Sequence, residues 1–131
     1  MERTAVNPVQ WSVEMGFNQG EVVSGHTRTL YISGQTATNA DGKPQHDNDM
    51  GAQLTLSIDN LEAVLAEAGM TLANLIRLNV YTTDVDELFQ NYGALAARLG
   101  AAGVAPTTTM LGVTRLALPT LTVELEGTAV A

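Results

Sequence analysis

Between Asp49 and Ala68 the apolar side chains Leu54, Ile58, Leu61, Leu65 and Ala68 recur at spacings of 4, 3, 4 and 3, which is one face of an α-helix. Asp49 is placed to act as its N-cap, and Gly69, with Met70 behind it, suits a left-handed C-terminal cap. A second helical stripe, Leu88, Tyr92, Leu95 and Leu99, begins near Asp84, with Glu87 in capping-box register and Gly100 and Gly103 closing the run. Elsewhere the period drops to two. Ile76, Leu78 and Val80 alternate with Arg77, Asn79 and Tyr81, predicting a strand with two different faces. Glu21–Ser24 and Thr29–Ser33 read as short strands around the turn Gly25-His26-Thr27-Arg28, followed by a polar loop through Asn39, Gly42 and Pro44. Thr107–Thr114 and Leu121–Val130 read as two final strands separated by a turn at Pro119. The first 20 residues, punctuated by Pro8, Gly16 and Gly20, are expected to be irregular.

The predicted order is ββαβαββ, an α/β (α+β) domain with a mixed sheet. Two helices cover only one face of a sheet of five or six strands, so the other face is solvated or covered by another subunit. In the last strand Leu121, Val123 and Leu125 are assigned to the helices, and Thr122, Glu124, Glu126 and Thr128 to the uncovered face. Arg77, Asn79 and Tyr81 join them there, and Thr108 and Met110 are assigned to the same side. A sheet left bare on one side invites a ring of subunits. Arg77 is expected to pair with Glu124 or Glu126, the alternative being an anchor for an anionic ligand. Arg115 is expected in a structural salt bridge. Trp11 either anchors the amino-terminal arm or touches a ligand.

Composition narrows the choice of partner. At 131 residues the chain makes one domain, residues 1–131. Its 14 acidic and 6 basic residues give a net charge of −8, and the basic ones are scattered singly. Nucleic acid and anionic membrane are therefore not expected as partners, since phosphate binding needs clustered Lys and Arg. There is no cysteine, which excludes disulfides, thiolate metal sites and cysteine nucleophiles. The two histidines, His26 and His46, stand apart in turn-like surroundings, and neither a metal nor a cofactor is expected. No apolar run approaches the ~20 residues of a membrane span, and no signal-peptide pattern opens the chain. A cytoplasmic location is the expectation.

Five segments, taken in order, resemble the Rid (YjgF) family: Gly16-Phe17-Asn18-Gln19-Gly20, Tyr31-Ile32-Ser33-Gly34-Gln35-Thr36, the helix Gln53–Gly69, Asn79-Val80-Tyr81 and Val123-Glu124-Leu125-Glu126. The resemblance runs from about Asn7 to Ala129. It implies a chorismate-mutase-like fold, a homotrimer with a central barrel of helix-free sheet faces, and small-molecule ligand clefts between subunits. It also implies hydrolysis of reactive imines and enamines such as 2-aminoacrylate. In that scheme an arginine grips the substrate carboxylate in a bidentate pair, a glutamate handles the attacking water, and backbone near the Ser-Gly-Gln turn holds the substrate.

The residues matching that machinery depart from it. The position of the family's arginine is Thr108, two residues after Pro106; its pocket tyrosine is Phe17, and an asparagine of the second helix falls near Phe89. The glutamate persists as Glu124, with Glu126 as the alternative match, and the glycine persists as Gly34. Losing the arginine removes a contact worth about 2–5 kcal/mol, so efficient 2-aminoacrylate deamination is not expected. The cleft is expected to be more apolar, formed by Phe17, Ser33, Gly34, Phe89, Thr108 and Met110, with Trp11 as a further candidate. Two functions follow. One is an enzyme hydrolysing a small imine, enamine or related intermediate with Glu124 as its catalytic residue. The other is a non-catalytic ligand-binding or interaction protein on the same trimer.

Overall fold

Leu54, Ile58, Leu61 and Leu65 are all fully buried, and the helix they define lies against one face of a four-stranded sheet. In the computed structural model, which describes residues Met1–Ala131, six strands can be numbered in chain order: β1 (Glu2–Val6), β2 (Gly20–Ser24), β3 (Thr29–Gln35), β4 (Leu75–Thr82), β5 (Thr107–Gly112) and β6 (Val123–Val130). Four helices accompany them: α1 (Trp11–Glu14), α2 (Met50–Glu67), α3 (Val85–Asn91) and α4 (Gly93–Ala101). The main sheet has the order β3-β6-β4-β5. It is mixed, because β4 and β5 run parallel while β6 is antiparallel to both β3 and β4.

Local chemistry sets the helix ends as expected. Asp49 accepts the backbone N–H of Ala52, Asp84 accepts that of Glu87, and Gly69 adopts φ +73° just past α2. The second helical run is not continuous. It divides at Tyr92-Gly93 into α3 and α4, where glycine weakens the helix interior.

Several expectations need correction. The first 20 residues are not all irregular, because Glu2–Val6 forms a strand and Trp11–Glu14 a helical turn. The two early strands do not pair with each other. Instead β2 pairs with β1 as a separate two-stranded ribbon, and β3 pairs with β6, so the main sheet has four strands rather than five or six. Arg3 ties the ribbon down: its guanidinium holds the Glu21 carboxylate at 2.7 and 2.9 Å and donates to the carbonyls of Ala73 and Leu75. In β4 it is Leu75, not Ile76, that is fully buried beside Leu78 and Val80, because the pairing with β6 shifts register between Leu75 and Arg77.

The register of β5 overturns a further assignment. Thr108 lies opposite Leu78 and Met110 opposite Val80, and Leu78 and Val80 belong to the helix-side core. Thr108 and Met110 therefore face the helix side, while Thr107, Thr109 and Leu111 share the bare face with Arg77, Asn79 and Tyr81. Thr122 also belongs elsewhere. It precedes β6 and bonds Gln53 of α2, its N–H donating at 2.8 Å and its hydroxyl at 3.1 Å. Arg115 makes no salt bridge and donates to the carbonyls of Leu116 and Ala117. No helix is long and apolar enough to cross a membrane.

Gln53 is a polar exception inside this core. Its side chain is fully buried, donates to the carbonyls of His46 and Thr120, and accepts the N–H and hydroxyl of Thr122. One amide thus joins the loop before α2 to the segment that enters β6. Gln53→Leu keeps much of the volume but strands those partners, and each buried unsatisfied group costs about 1–3 kcal/mol. The expected loss is roughly 2–4 kcal/mol, read from the denaturant midpoint; a shift no larger than that of a surface Gln→Leu control would remove this role.

Candidate functional site

Along β6 the side chains of Glu124 and Glu126 project from the bare face, opposite Tyr81 and Asn79 of β4. Their environments differ. Glu126 accepts hydrogen bonds from the Asn79 amide at 3.1 Å and from the Tyr81 hydroxyl, a very short contact. That bond to Glu126 is the main reason the Tyr81 phenol is held above its ordinary pKa, so it remains a donor. Glu124 receives no hydrogen bond from this chain. Partial burial, and then the neighbouring Glu126 charge, push its carboxyl above the usual carboxylate range.

Gly34 explains how Glu124 sits where it does. Between Ile32 and Gln35 the β3–β6 register shifts, and there the Glu124 carboxylate lies directly over the Gly34 backbone. A Cβ on residue 34 would stand 2.3 Å from Glu124 Oε2 and 2.7 Å from its carboxyl carbon. A bare backbone at this point lets the carboxylate lie flat on the strand. Ser33 is exposed beside it, and its carbonyl accepts the side-chain amide of Gln35 at 3.2 Å.

Arg77 forms no ion pair with either glutamate. Its guanidinium is held by the Thr109 hydroxyl at 2.5 Å, one strand further from β6.

The other sequence-predicted residues gather on the opposite side of the sheet. Phe17, Phe89, Thr108 and Met110 line a single open cleft of about 400 Å³, with Trp11 on its rim. Trp11 and Phe17 meet edge to face, with ring centroids 5.7 Å apart and planes at 80°. The arm that carries them is pinned by the Asn7 and Asn18 side chains, bonded to each other at 2.9 Å, and by the Asn18 N–H to the Ala105 carbonyl at 3.1 Å. The cleft contains no cationic side chain. The Thr108 hydroxyl is already donated to the Pro106 carbonyl at 2.7 Å.

Met15 and Tyr92 also line this cleft and were not anticipated. The signal was present in spacing: Trp11 and Met15 are four apart and Phe89 and Tyr92 three apart, intervals that share a helical face. Tyr92 is partly buried, and that desolvation raises its phenol above the ordinary value. The sheet thus separates Glu124, Gly34 and Ser33 from Phe17, Phe89, Thr108 and Met110. No trio of His, Asp and Glu side chains is gathered as metal ligands.

Comparison with known proteins agrees with this frame. Residues 10–131 match the family model described as Endoribonuclease L-PSP. The RutC family protein YjgH of Escherichia coli strain K12 is 32% identical over 117 residues, covering 89% of this chain and 88% of that protein. The crystal structure of YyfB from Yersinia pestis, of the conserved Rid protein family, is 37% identical and superposes with a TM-score of 0.85 over 100% of both chains. E. coli TdcF with bound serine is 25% identical, with a TM-score of 0.71 over 88% of this chain and 87% of that one. The extent of these matches and the shared fold show that this chain belongs to the Rid/YjgF family.

Proposed function

We propose that the protein hydrolyses a small imine, enamine or related reactive intermediate in a cleft completed by a second copy of the chain, with Glu124 handling the water. The observation that carries this reading is the state of Glu124. It is a carboxylate on an uncovered sheet face, raised in pKa, unpartnered within its chain and lying on Gly34. A general base works best when its pKa is brought towards the operating pH, and burial beside Glu126 moves Glu124 in that direction.

The chemistry balances without a cofactor. Glu124 takes a proton from water as the water oxygen bonds the imine carbon and the C=N π pair moves onto nitrogen. Returning that proton to nitrogen gives a carbinolamine. Glu124 then carries the hydroxyl proton to nitrogen, the oxygen pair forms the C=O bond as the C–N bond breaks, and ammonia leaves with a carbonyl product. Tyr81 and Asn79 hold the Glu126 carboxylate beside this group, and the Glu126 charge favours the protonated form of Glu124 after the first transfer.

A second copy is needed because one chain keeps its two groups of residues on opposite sides of the sheet. The bare face offers exposed apolar surface for such a contact, with Tyr31 80% and Leu111 50% exposed. A homotrimer closing that face against the β5 edge of its neighbour would bring Glu124 of one subunit to the aromatic cleft of the next. The serine bound by TdcF supports a small nitrogenous ligand for this chain as well. An efficient 2-aminoacrylate deaminase is not the reading favoured, since nothing cationic stands beside Thr108. Ribonuclease activity is also disfavoured. Of the six basic residues, Arg3, Arg28, Arg77, Arg98 and Arg115 are each engaged within the chain, leaving no patch for phosphates. The rival reading is a non-catalytic ligand carrier, favoured by the lack of a reactive group in the cleft of a single chain. It requires tight binding with no turnover.

Purified protein with an amino-acid or amine oxidase as imine source provides the test. Carbonyl release should be accelerated, and Glu124→Gln should reduce that acceleration about 100- to 10,000-fold. Release no faster than buffer across a broad panel, with Glu124→Gln unchanged, would end this reading. Gly34→Ala should displace the carboxylate and lower the rate at least about tenfold, with a native circular dichroism spectrum.

The pH dependence has a defined sign. The base form of Glu124 exists only above its raised pKa, so the rate climbs with pH along a limb displaced upwards from that of an ordinary carboxylate. Glu126→Gln removes a neighbouring charge and moves that limb to lower pH. In stability the raised folded-state pKa costs the native state as pH rises through it, so Glu124→Gln should exceed the wild type in stability by a margin that grows over the same interval. A limb and margin independent of Glu126 would contradict this electrostatic account.

A further inference from the structure

We infer that the ligand of the aromatic cleft is a hydrophobic organic cation lacking a carboxylate, and that the substrate is the iminium of a primary amine, R–CH=NH₂⁺, rather than the imine of an amino acid. The second half rests on the hydrolase reading above; the first stands on the cleft alone. Three features of the cleft point the same way.

An anionic head group has no cationic partner there. The lining has no Lys, Arg or His, and its one aliphatic hydroxyl, that of Thr108, already donates to the Pro106 carbonyl. Arg77 is on the other face of the sheet, bonded to Thr109. A carboxylate entering this space would exchange its hydration for no charged partner and only the neutral donors of Trp11 and Tyr92, a net cost.

A cation is met differently. Trp11, Phe17, Phe89 and Tyr92 supply four rings to one space of about 400 Å³. The edge-to-face contact of Trp11 with Phe17 leaves the two ring planes at 80°, so the contact occupies only one face of one of the two rings. Aromatic faces carry negative electrostatic potential and attract ammonium-type cations, most strongly when water is displaced. The two methionine sulfurs, Met15 and Met110, add polarisable surface.

Long-range charge acts in the same sense. The net charge of −8 raises the local concentration of cations and lowers that of anions. In the proposed shared cleft the nearest reactive group is the Glu124 carboxylate with Glu126 beside it, and both favour an iminium over a carboxylate-bearing substrate. Hydrolysis of R–CH=NH₂⁺ with water gives an aldehyde and ammonium, balancing atoms and charge. The reaction class that supplies such a substrate is the oxidation of a primary amine, and the class that consumes its product acts on an aldehyde.

Trp11 is the chain's only tryptophan and stands at the cleft, so its fluorescence reports binding without turnover. The full-length protein would be titrated with benzyltrimethylammonium, its neutral carbon isostere neopentylbenzene, and phenylacetate. The cation should bind about tenfold or more tightly than either other ligand. Phe17→Leu, which keeps an apolar wall but removes a π face, should abolish the preference for the cation over the neutral isostere. Thr108→Arg should turn the selectivity towards phenylacetate. Phenylacetate binding as well as the cation, equal affinity for cation and isostere, or no response of Trp11 to any of the three would overturn the inference.

The catalytic half is read separately, by comparing benzylimine from an amine oxidase with the imine of phenylalanine from an amino-acid oxidase. Faster hydrolysis of benzylimine by at least about tenfold is expected. Equal or preferred use of the amino-acid imine sinks the substrate assignment while leaving the hydrolase reading intact. If neither imine is accelerated but the cation still binds selectively, the hydrolase reading falls and the ligand class stands.

Discussion

β6 is hydrogen-bonded on both edges, to β3 and to β4, and the alternation of its side chains is the constraint from which the rest of the molecule follows. Val123, Leu125 and Ala129 are fully or almost fully buried against the helix layer. Because successive residues in a strand point to opposite sides, Glu124 and Glu126 must then stand side by side on the other face. Two carboxylates at adjacent same-face positions repel each other, and the chain answers with unequal surroundings. Glu126 is given two donors, Asn79 and Tyr81; Glu124 is given a glycine to lie on and no donor. The carboxyl of Glu124 is thereby held above the usual carboxylate range.

A second constraint is the parallel pairing of β5 with β4. It places Thr108 and Met110 beside Leu78 and Val80, at the margin of the helix layer, where the amino-terminal arm and α3 complete a wall of aromatic rings. Neither β5 nor the arm contributes much to the buried core, and β5 is an edge strand. The main sheet and α2 provide rigidity; the edge and the arm provide a lining.

The helices, the central strands and the family frame were legible in the sequence because their hydrophobic periods are strong. Leu54, Ile58, Leu61 and Leu65 admit one helical face only, and Leu78 and Val80 admit one strand parity. Thr107-Thr108-Thr109 admits either, since three identical residues carry no alternation, and Met110 and Leu111 then offer one apolar side chain to each face. The parity of β5 was therefore decided by pairing with β4, a long-range interaction that local pattern cannot express. The same holds for β1, whose five residues Glu2–Val6 show weak alternation and depend on Arg3 reaching Glu21 and the start of β4. Arg77 and Arg115 illustrate a different limit. Sequence supplies the charge but not the nearest acceptor, and in each case a hydroxyl or a carbonyl lay closer than a carboxylate. The aromatic residues named together in the sequence do line one cleft, while the sheet that divides them from Glu124 came from the topology.

That division has an evolutionary consequence. The wall formed by Phe17, Phe89 and Thr108 shares no side-chain hydrogen bond with the Glu124–Gly34 pair and lies across a sheet from it. Substitutions in one can accumulate without disturbing the geometry of the other. A chain built on such a scaffold can change the lining of its cleft while keeping the carboxylate on the other face, or keep that lining after the carboxylate has been lost.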